Sequence, residues 1–300
     1  MPKTEKYLPS KSFLCKKYCI ILPLEKKSDV LRKIYAISRA ERFSPNSVDK
    51  DAAILEGAAD ELRRAGYEVE ILAETDFSDA ADALACISMG REPSTVAMLK
   101  RMESAGVPVV NSGSGVEACC NRRLINDIMK QVGVPLPSSH GDCGYWLKRA
   151  DGTAEGPGDI RFASGWQEAE AEMAFMKSAG IKDVIVQAHV QGDLVKFYGV
   201  SGTDFFHVCY PGDDGNWKFG DERRNGAPSH YQFDLSSLCA MAGCVAEAAD
   251  TVVYGGDCIV DSGGGVTIID FNDWPSFSRC REEAASAIAE IVIKRISGNK

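Results

Sequence analysis

The 300-residue chain lacks any apolar run near the roughly 18 residues that a membrane-spanning helix needs. Positive charge is also in short supply, because 34 lysines and arginines face 43 aspartates and glutamates and leave a formal net charge of −9. This balance argues against nucleic acid or an anionic membrane as the main partner, but it allows a local basic pocket for phosphate. The length suffices for about two domains with cores of their own.

The eleven cysteines include no CxxC pair, and several lie inside apolar segments. We interpret them as reduced, mostly buried small hydrophobic residues rather than as zinc ligands or disulfides. Residues 1–17 are basic but lack the apolar core of a signal peptide, so they are predicted to form a flexible leader. Together these features predict a cytoplasmic protein.

Residues 255–277 are the most informative segment, and their pattern predicts a β-hairpin: an apolar strand, a turn with three consecutive glycines and a β-branched strand. Asp270 and Asn272 lie two residues apart near the end of the second strand, so they face the same side. Asp257 is predicted at the outer end of the partner strand, where pairing can bring it beside them. Three such oxygen donors suit Mg²⁺. The alternative, equally weighted from this segment alone, is that Asp270 and Asn272 only end a strand and begin a turn.

Strands and helices alternate in the first part of the chain, which predicts a parallel sheet joined by helical crossovers. The predicted strands are 18–22, 67–72, 83–88 and 107–110, and the predicted helices are 47–65 and 94–105.

The remainder of the chain reads as α+β, with its helices and strands in a less regular order. Predicted helices are 117–132, 166–179, 235–253 and 281–296, and predicted strands outside the hairpin are 146–148, 184–187, 194–200 and 205–210.

Three polar features of the second part point to phosphate and nucleotide chemistry. Lys148 lies on a predicted strand that leads into a glycine-rich loop at 150–158, whose backbone N–H groups can meet anionic oxygens. The connector around 187–193 can offer backbone groups to an adenine edge, while Asp193 accepts from ribose hydroxyls. A charged loop at 221–226 carries arginines suited to a transferring phosphoryl group.

Each of these features also has an ordinary structural interpretation. The glycine-rich loop can be a plain surface hairpin, and it is not a Walker loop because GxxxxGK[ST] is absent. A lone histidine such as His189 on a connecting loop is more often structural than catalytic. The run of charges at 221–226 can be a solvated face.

Taken in order, these pieces resemble the ATP-grasp superfamily over residues 18–296. The resemblance implies a lid strand carrying Lys148, a hinge that contacts adenine and a metal triad that bridges the ATP phosphates. Arg122 stands where the family usually has a lysine, and it keeps the charge but not the point-like geometry. The implied ATP-binding residues are Arg122, Lys148, Gln187, Ala188, His189, Val190 and Asp193, and the implied metal ligands are Asp257, Asp270 and Asn272.

The resemblance also implies the architecture, of α/β and α+β class. An N-terminal parallel-sheet domain (18–115) is expected before a lid subdomain (116–190) and a C-terminal mixed-sheet subdomain with the metal site (191–300). ATP and Mg²⁺ are the implied cofactors, with Mn²⁺ as an alternative ion, and the partners are small-molecule or peptide substrates. Since relatives often pair, the resemblance also raises a homodimer as the assembly.

The primary functional interpretation is a carboxylate–amine ligase, similar to the ribosomal-protein glutamate ligase and glutathione synthetase types. A carboxylate attacks the γ-phosphate to give an acyl phosphate, which an amine then displaces. Arg224 is predicted beside the acyl phosphate, with Lys196 as a further cationic residue of the reaction.

Two other functions compete with the ligase. Asp270 replaces the glutamate of most ligases and, with residues 194–200, looks more like the inositol trisphosphate 5/6-kinases, although the turn at 273–277 matches neither group. A nucleotide-binding regulatory protein without turnover is the third hypothesis, and the intact metal triad argues against it.

Overall fold

Four parallel strands form the first sheet of the computed structural model, which describes residues 33–44, 47–78, 82–152, 156, 158–213 and 224–298. Its order is β2–β1–β3–β4, and every described pairing in it is parallel. The predicted alternation of strand and helix is confirmed here, while the predicted strand 18–22 lies outside the described residues. The strands are β1 (Ile34–Ser38), β2 (Val69–Ala73), β3 (Ala85–Ser88) and β4 (Val109–Val110).

Helices cover both faces of this sheet. Ile54, Leu55 and Ile288 belong to the apolar cluster on one face, and Leu99 and Val116 belong to the cluster on the other. Burial of these stripes holds the helices in place, since short helices have little stability of their own in water. The helices are α1 (Val48–Arg64), α2 (Pro93–Ser104), α3 (Gly113–Cys120) and, from the end of the chain, α7 (Arg281–Ile296).

Residues 117–132, predicted as one helix, form parts of two helices. The chain leaves helical geometry at Asn121 (φ −110°, ψ 101°), which ends α3 and begins α4 (Arg122–Gln131). The Asn121 side chain caps α4 by accepting the N–H of Leu124 at 3.0 Å. The break places Arg122 in the first turn of the new helix.

The middle of the chain forms a three-stranded antiparallel sheet of order β6–β5–β7. One helix packs on it through Leu147, Ala169 and Met176. The strand at residues 160–163 was not predicted. The elements are β5 (Tyr145–Arg149), β6 (Ile160–Ala163), α5 (Trp166–Ser178) and β7 (Val184–Ala188).

The C-terminal sheet has the order β11–β10–β8–β9, and all its described pairings are antiparallel where a mixed sheet was predicted. The helix predicted to reach residue 253 ends at Ala248, and Asp250 turns the chain with φ 52°. The elements are β8 (Asp193–Val200), β9 (Phe206–Cys209), α6 (Leu235–Ala248), β10 (Val253–Val260) and β11 (Val266–Asp273).

Side chains at the carboxyl ends of the first sheet join it to the last two strands. The Nδ2 of the buried Asn111 donates to the carbonyl of Val253 at 2.7 Å, and its Oδ1 accepts the N–H groups of Val252 and Val253. Arg91 forms an ion pair with Asp273, which ends β11. Loops at this edge of the first sheet therefore face the turn that follows the predicted metal strand.

Across the described residues, none of the helices has the length and apolar character needed to cross a bilayer. The domain boundaries at 18, 115 and 190 stay predictions, because the described residues all fall within one unit of the chain that begins at residue 32.

Candidate functional site

A row of polar side chains crosses one face of the C-terminal sheet. Asp270 on β11 lies opposite Asp257 on β10, and Asp257 lies opposite Lys196 on β8. Lys196 in turn lies opposite Cys209 on β9. Directly opposed residues of antiparallel strands project to the same face, so the four side chains stand side by side. All four are half-buried, whereas Phe197 on the opposite face belongs to the core.

The three predicted metal ligands are brought together in this row and the next. Two carboxylates directly opposite each other repel, and nearby cations offset that repulsion. Nζ of Lys196 lies 3.0 and 3.2 Å from the two oxygens of Asp257. Nδ2 of Asn272 lies 3.1 Å from Oδ2 of Asp270. The expected position of Asp257 at a strand end is wrong, since it lies inside β10, but the predicted proximity holds.

The donor set of these residues fits Mg²⁺. It consists of two carboxylates and one amide oxygen, all hard oxygen ligands. Within the described ranges no three His, Cys, Asp or Glu side chains gather as a metal cluster. Phosphate and water oxygens would therefore have to complete the coordination of an ion held here, which is the usual arrangement for Mg²⁺.

Lys148 and Arg122 reach the carboxylates from other elements. Nζ of Lys148 extends from β5 and donates to the carbonyl of Ile269 at 2.8 Å. Nε of Arg122 lies 4.0 Å from Oδ1 of Asp270, and its Nη1 donates to the carbonyl of Arg149 at 2.9 Å. The three-stranded sheet β6–β5–β7, α4 and the C-terminal hairpin thus bring their charges to one place.

These charges change one another's protonation. Burial lowers the pKa of Lys148 to about 8, although attraction from Asp270 opposes the shift. Burial disfavours the charged form of Asp270, but Arg122, Lys148 and Lys196 together hold its pKa below the ordinary value. At neutral pH the site therefore combines a charged carboxylate with a lysine that can lose its proton under mildly basic conditions.

The predicted hinge, residues 187–190, begins in the last two residues of β7, at the edge of the sheet β6–β5–β7. The N–H of Ala188 donates to the carbonyl of Ser138 at 2.7 Å, and the N–H of His189 donates to the carbonyl of Gly144 at 2.8 Å. The backbone N–H groups of Ala188 and His189 are therefore already used in hydrogen bonds within the protein. Fewer hinge donors remain for an adenine edge. Gln187 is buried, and Val190 accepts at its carbonyl from Nδ2 of Asn225 at 3.0 Å.

His189 belongs to an aromatic cluster with Trp146 and Phe162. Nε1 of Trp146 donates to Nδ1 of His189 at 3.1 Å, so this nitrogen carries no proton and the neutral ring has its proton on Nε2. Burial, assisted by the nearby charge of Arg224, lowers the pKa of His189. The neutral ring is thus favoured at the hinge, as the structural interpretation of His189 requires.

Asp193 and Arg224 have partners that the sequence did not indicate. Asp193 is 3% exposed, and its carboxylate accepts the N–H groups of Ser229 at 2.7 Å and Tyr231 at 2.8 Å. The guanidinium carbon of Arg224 lies 3.9 Å from the ring centroid of Phe162 on β6. Their expected contacts, with ribose and with an acyl phosphate, stay predictions.

Cys209 of this row and two further residues of the same sheet face, Tyr198 and His207, were not predicted as site residues. Beside the row of Lys196 and Cys209, Tyr198 lies opposite His207, with ring centroids 6.4 Å apart at 25°. A Cβ on Gly255 would lie 3.0 Å from Cδ1 of Tyr198, so glycine there gives this ring its space. Strand alternation was the available signal, since Tyr198 follows Lys196 by two residues and Cys209 follows His207 by two.

Comparisons with known proteins give matches by fold but not by sequence. No protein-family model matches the sequence, and no curated protein matches it. The fold matches solved structures over most of the chain. D-alanyl-alanine synthetase A from Vibrio cholerae has a TM-score of 0.62 at 10% identity, covering 89% of this chain and 98% of that one.

Two further structures give the same result. A RimK domain ATP-grasp protein from Sphaerobacter thermophilus has a TM-score of 0.58 at 17% identity and covers 87% of this chain and 99% of its own. The ATP-grasp ligase PsnB, solved with a minimal precursor, has a TM-score of 0.57 at 14% identity, with coverages of 89% and 100%. Together with the parallel sheet and the two antiparallel sheets that follow it, these matches show that the protein has the ATP-grasp fold.

Proposed function

We propose that this protein is an ATP- and Mg²⁺-dependent ligase that joins a carboxylate to an amine through an acyl phosphate and releases ADP and phosphate. The observation that carries the proposal is the convergence of Asp257, Asp270 and Asn272 with the cations of Lys148, Lys196 and Arg122 on one sheet face of this fold. In such a place, charge on a transferring phosphoryl group can be neutralised from several sides.

The two carboxylates and the amide would hold Mg²⁺, or Mn²⁺ as the alternative ion, which would neutralise the ATP phosphates. Lys148 and Arg122 would contact phosphate oxygens from the lid side and from the start of α4. Lys196 lies across from Asp257 and would be available to the reacting carboxylate or phosphoryl group. Because all these groups project from packed elements, their positions are largely set before substrate binds.

Adenine is proposed to lie at the hinge, residues 187–190, beside the cluster of Trp146, Phe162 and His189. The indole donor and the half-buried imidazole give this place an apolar wall with a fixed polar edge. A purine ring would stack or insert there with little loss of side-chain freedom, since the aromatic rings already constrain one another.

The acceptor is proposed to lie between the C-terminal sheet face and the carboxyl ends of the first sheet. Tyr198, His207 and Cys209 extend the polar face beyond Lys196, away from the carboxylates. Ligands of open parallel sheets lie outside the carboxyl ends of the strands, and loops from that edge reach Asp273. Arg224 would stabilise the acyl phosphate from the lid side.

A small-molecule kinase of the inositol phosphate type is the second candidate, because Asp270 replaces the glutamate of most ligases. One assay separates the candidates. Purified protein with Mg·ATP is incubated with pools of amino acids, dipeptides and inositol phosphates, and ADP and free phosphate are measured separately.

Each function gives a different product pattern. Phosphate that rises in step with ADP, only when carboxylate and amine are both present, supports the ligase. ADP without free phosphate supports the kinase. Nucleotide binding without either product would leave a regulatory protein as the remaining interpretation.

A further inference from the structure

We infer that Asp193 and Asn225 are positioning residues that clamp the segment 224–231 onto the hinge and thereby hold Arg224 against Phe162 of β6. The chemical purpose of Arg224 rests on the proposed function, whereas the clamp itself rests on contacts within the chain. We use the name clamp for Asp193, Asn225 and their bonded partners.

The first half of the clamp is a buried carboxylate that binds two backbone amides. Asp193 is 3% exposed and accepts from Ser229 at 2.7 Å and from Tyr231 at 2.8 Å. His230, between these two donors, has φ 56°, and this left-handed conformation turns both N–H groups toward one anion. The Asp193 carboxylate therefore has a structural role in binding these two amides, which differs from the ribose contact expected from the sequence.

The second half is the amide of Asn225. Its Nδ2 donates to the carbonyls of Val190 at 3.0 Å and Gly192 at 3.1 Å. Gly192 has φ 145°, and a Cβ there would lie 2.3 Å from the carbonyl oxygen of Val260. Gly192, two residues after the hinge, therefore packs directly on the end of β10, and Asn225 ties the segment 224–231 to both the hinge and Gly192.

Arg224 immediately precedes Asn225, so the clamp limits where its side chain can reach. Its guanidinium lies over Phe162 of β6, in the geometry of a cation–π contact. The hinge, β6 and the arginine are thereby linked through Asn225. A nucleotide that orders the hinge would also order the guanidinium proposed to meet the acyl phosphate.

Hydrogen exchange of the nucleotide-free protein tests the clamp without any substrate. We expect the amides of Ser229 and Tyr231 to exchange roughly tenfold faster in Asn225→Ala and in Asp193→Asn, because each change removes a hydrogen bond that holds the segment. Asp234→Asn is the matched control, since its carboxylate accepts the N–H of Ser236 at the start of α6. Unchanged exchange at residues 229 and 231 in Asn225→Ala would overturn the inference, and this variant decides the matter if Asp193→Asn does not fold.

Calorimetry with two nucleotides separates a positioning role from ribose binding. The Kd values of Mg·ATP and of Mg·2′,3′-dideoxy-ATP are compared in the unchanged protein and in Asp193→Asn. A positioning residue leaves the ratio of the two Kd values unchanged within about twofold, whereas loss of a ribose ligand brings the ratio toward one. A collapsed ratio in Asp193→Asn would therefore contradict the inference.

Turnover gives the third readout. With the substrate pool that gives ADP release in the assay above, Asn225→Ala should lower kcat roughly tenfold or more and change the KM for ATP little. This pattern is expected when an interaction made mainly in the transition state is lost. A raised KM with kcat preserved would assign Asn225 to binding alone. If the unchanged protein binds no ATP, the proposed function fails, and hydrogen exchange still decides whether the clamp exists.

Discussion

At the scale of single residues, Lys148 is the most informative side chain of the site. It is 8% exposed and reaches from β5 to the carbonyl of Ile269. The charge of Asp270 raises its pKa, and the charge of Arg122 lowers it. Burial outweighs the attraction of the carboxylate, and its pKa falls to about 8. At neutral pH most Lys148 side chains are still protonated and can bind phosphate as cations. The protonated fraction falls at a lower pH than it does for an exposed lysine.

We therefore expect the affinity for Mg·ATP to fall as the pH rises above about 8, where Lys148 of the nucleotide-free protein loses its proton. If bound phosphate keeps the lysine charged, the Kd should rise by up to about tenfold per pH unit in this range. Calorimetry between pH 7 and 9.5 measures the effect. Lys148→Arg is the matched variant, because arginine stays protonated throughout. A Kd independent of pH in the unchanged protein would contradict this expectation.

Asp270→Asn should nearly abolish turnover. The change keeps the size of the side chain but removes the charge that faces Arg122 and Lys148. We expect a loss of about two to three orders of magnitude in kcat, the size seen when a key electrostatic group of a transition state is removed. Asp261→Asn is the control, since Asp261 lies in the turn of the same hairpin and binds only backbone amides there. Near-normal ADP release by Asp270→Asn would remove the metal assignment.

At the scale of elements, β10 shows why glycine can continue a strand. A Cβ on Gly256 would lie 2.3 Å from the carbonyl oxygen of Asp270 and 2.4 Å from Cζ of Phe197. The predicted strand begins at Asp257, after the two glycines, because glycine usually weakens strands. The side chains that fill the space arrive from β8, far away in sequence, so local propensity could not indicate them.

Gly256→Ala should destabilise the protein by about 1–3 kcal/mol, because the added methyl group overpacks the site strand. Gly243→Ala is the matched comparison, since nothing lies within 4 Å of its Cβ position in α6. There alanine should stabilise by about 0.5–1 kcal/mol, as it does in helix interiors. Urea unfolding of both variants measures the difference. Equal stabilities would mean that β10 accommodates a side chain and that the close approach is not required.

At the scale of the whole molecule, buried polar groups join the first sheet to the C-terminal sheet and order the loops at its edge. Asn111 alone makes three hydrogen bonds between the end of the first sheet and the start of β10. Glu74 accepts the backbone N–H groups of Ala40, Arg91 and Glu92, which joins the loops that follow three neighbouring strands. These groups set the edge of the first sheet that faces the site.

Asn111→Ala should cost about 2–4 kcal/mol, because it leaves two buried amides without the acceptor Oδ1. The carbonyl of Val253 loses one donor but keeps the N–H of Trp274 at 3.0 Å. Asn121→Ala is the matched variant, since it removes the same side chain from a half-buried helix cap and should cost about 1 kcal/mol. Chemical unfolding compares the two. A cost for Asn111→Ala no larger than that of the cap would show that the junction relaxes or admits water.

Much of the fold could be predicted from local patterns. The helix at 281–296 was predicted to the residue, since apolar periodicity and charged ends define it locally. The hairpin and its polar residues followed from alternation and a glycine turn. At Asn121 a local cap, which the apolar periodicity did not reveal, divides the predicted helix. At the start of β10, contacts with distant segments decide the outcome, and the boundary moved.

The sequence by itself determined most strands and helices other than β1 and β6, which were not predicted. It also determined the resemblance to ATP-grasp proteins and the identity of the acidic and basic groups that meet on β8, β10 and β11. Only the tertiary structure decided that Tyr198, His207 and Cys209 share that face, and that the amides of residues 229 and 231 bond to Asp193. The reason is physical: alternation along one strand is local, whereas register between strands and the partners of a buried carboxylate are set by segments far apart in the chain.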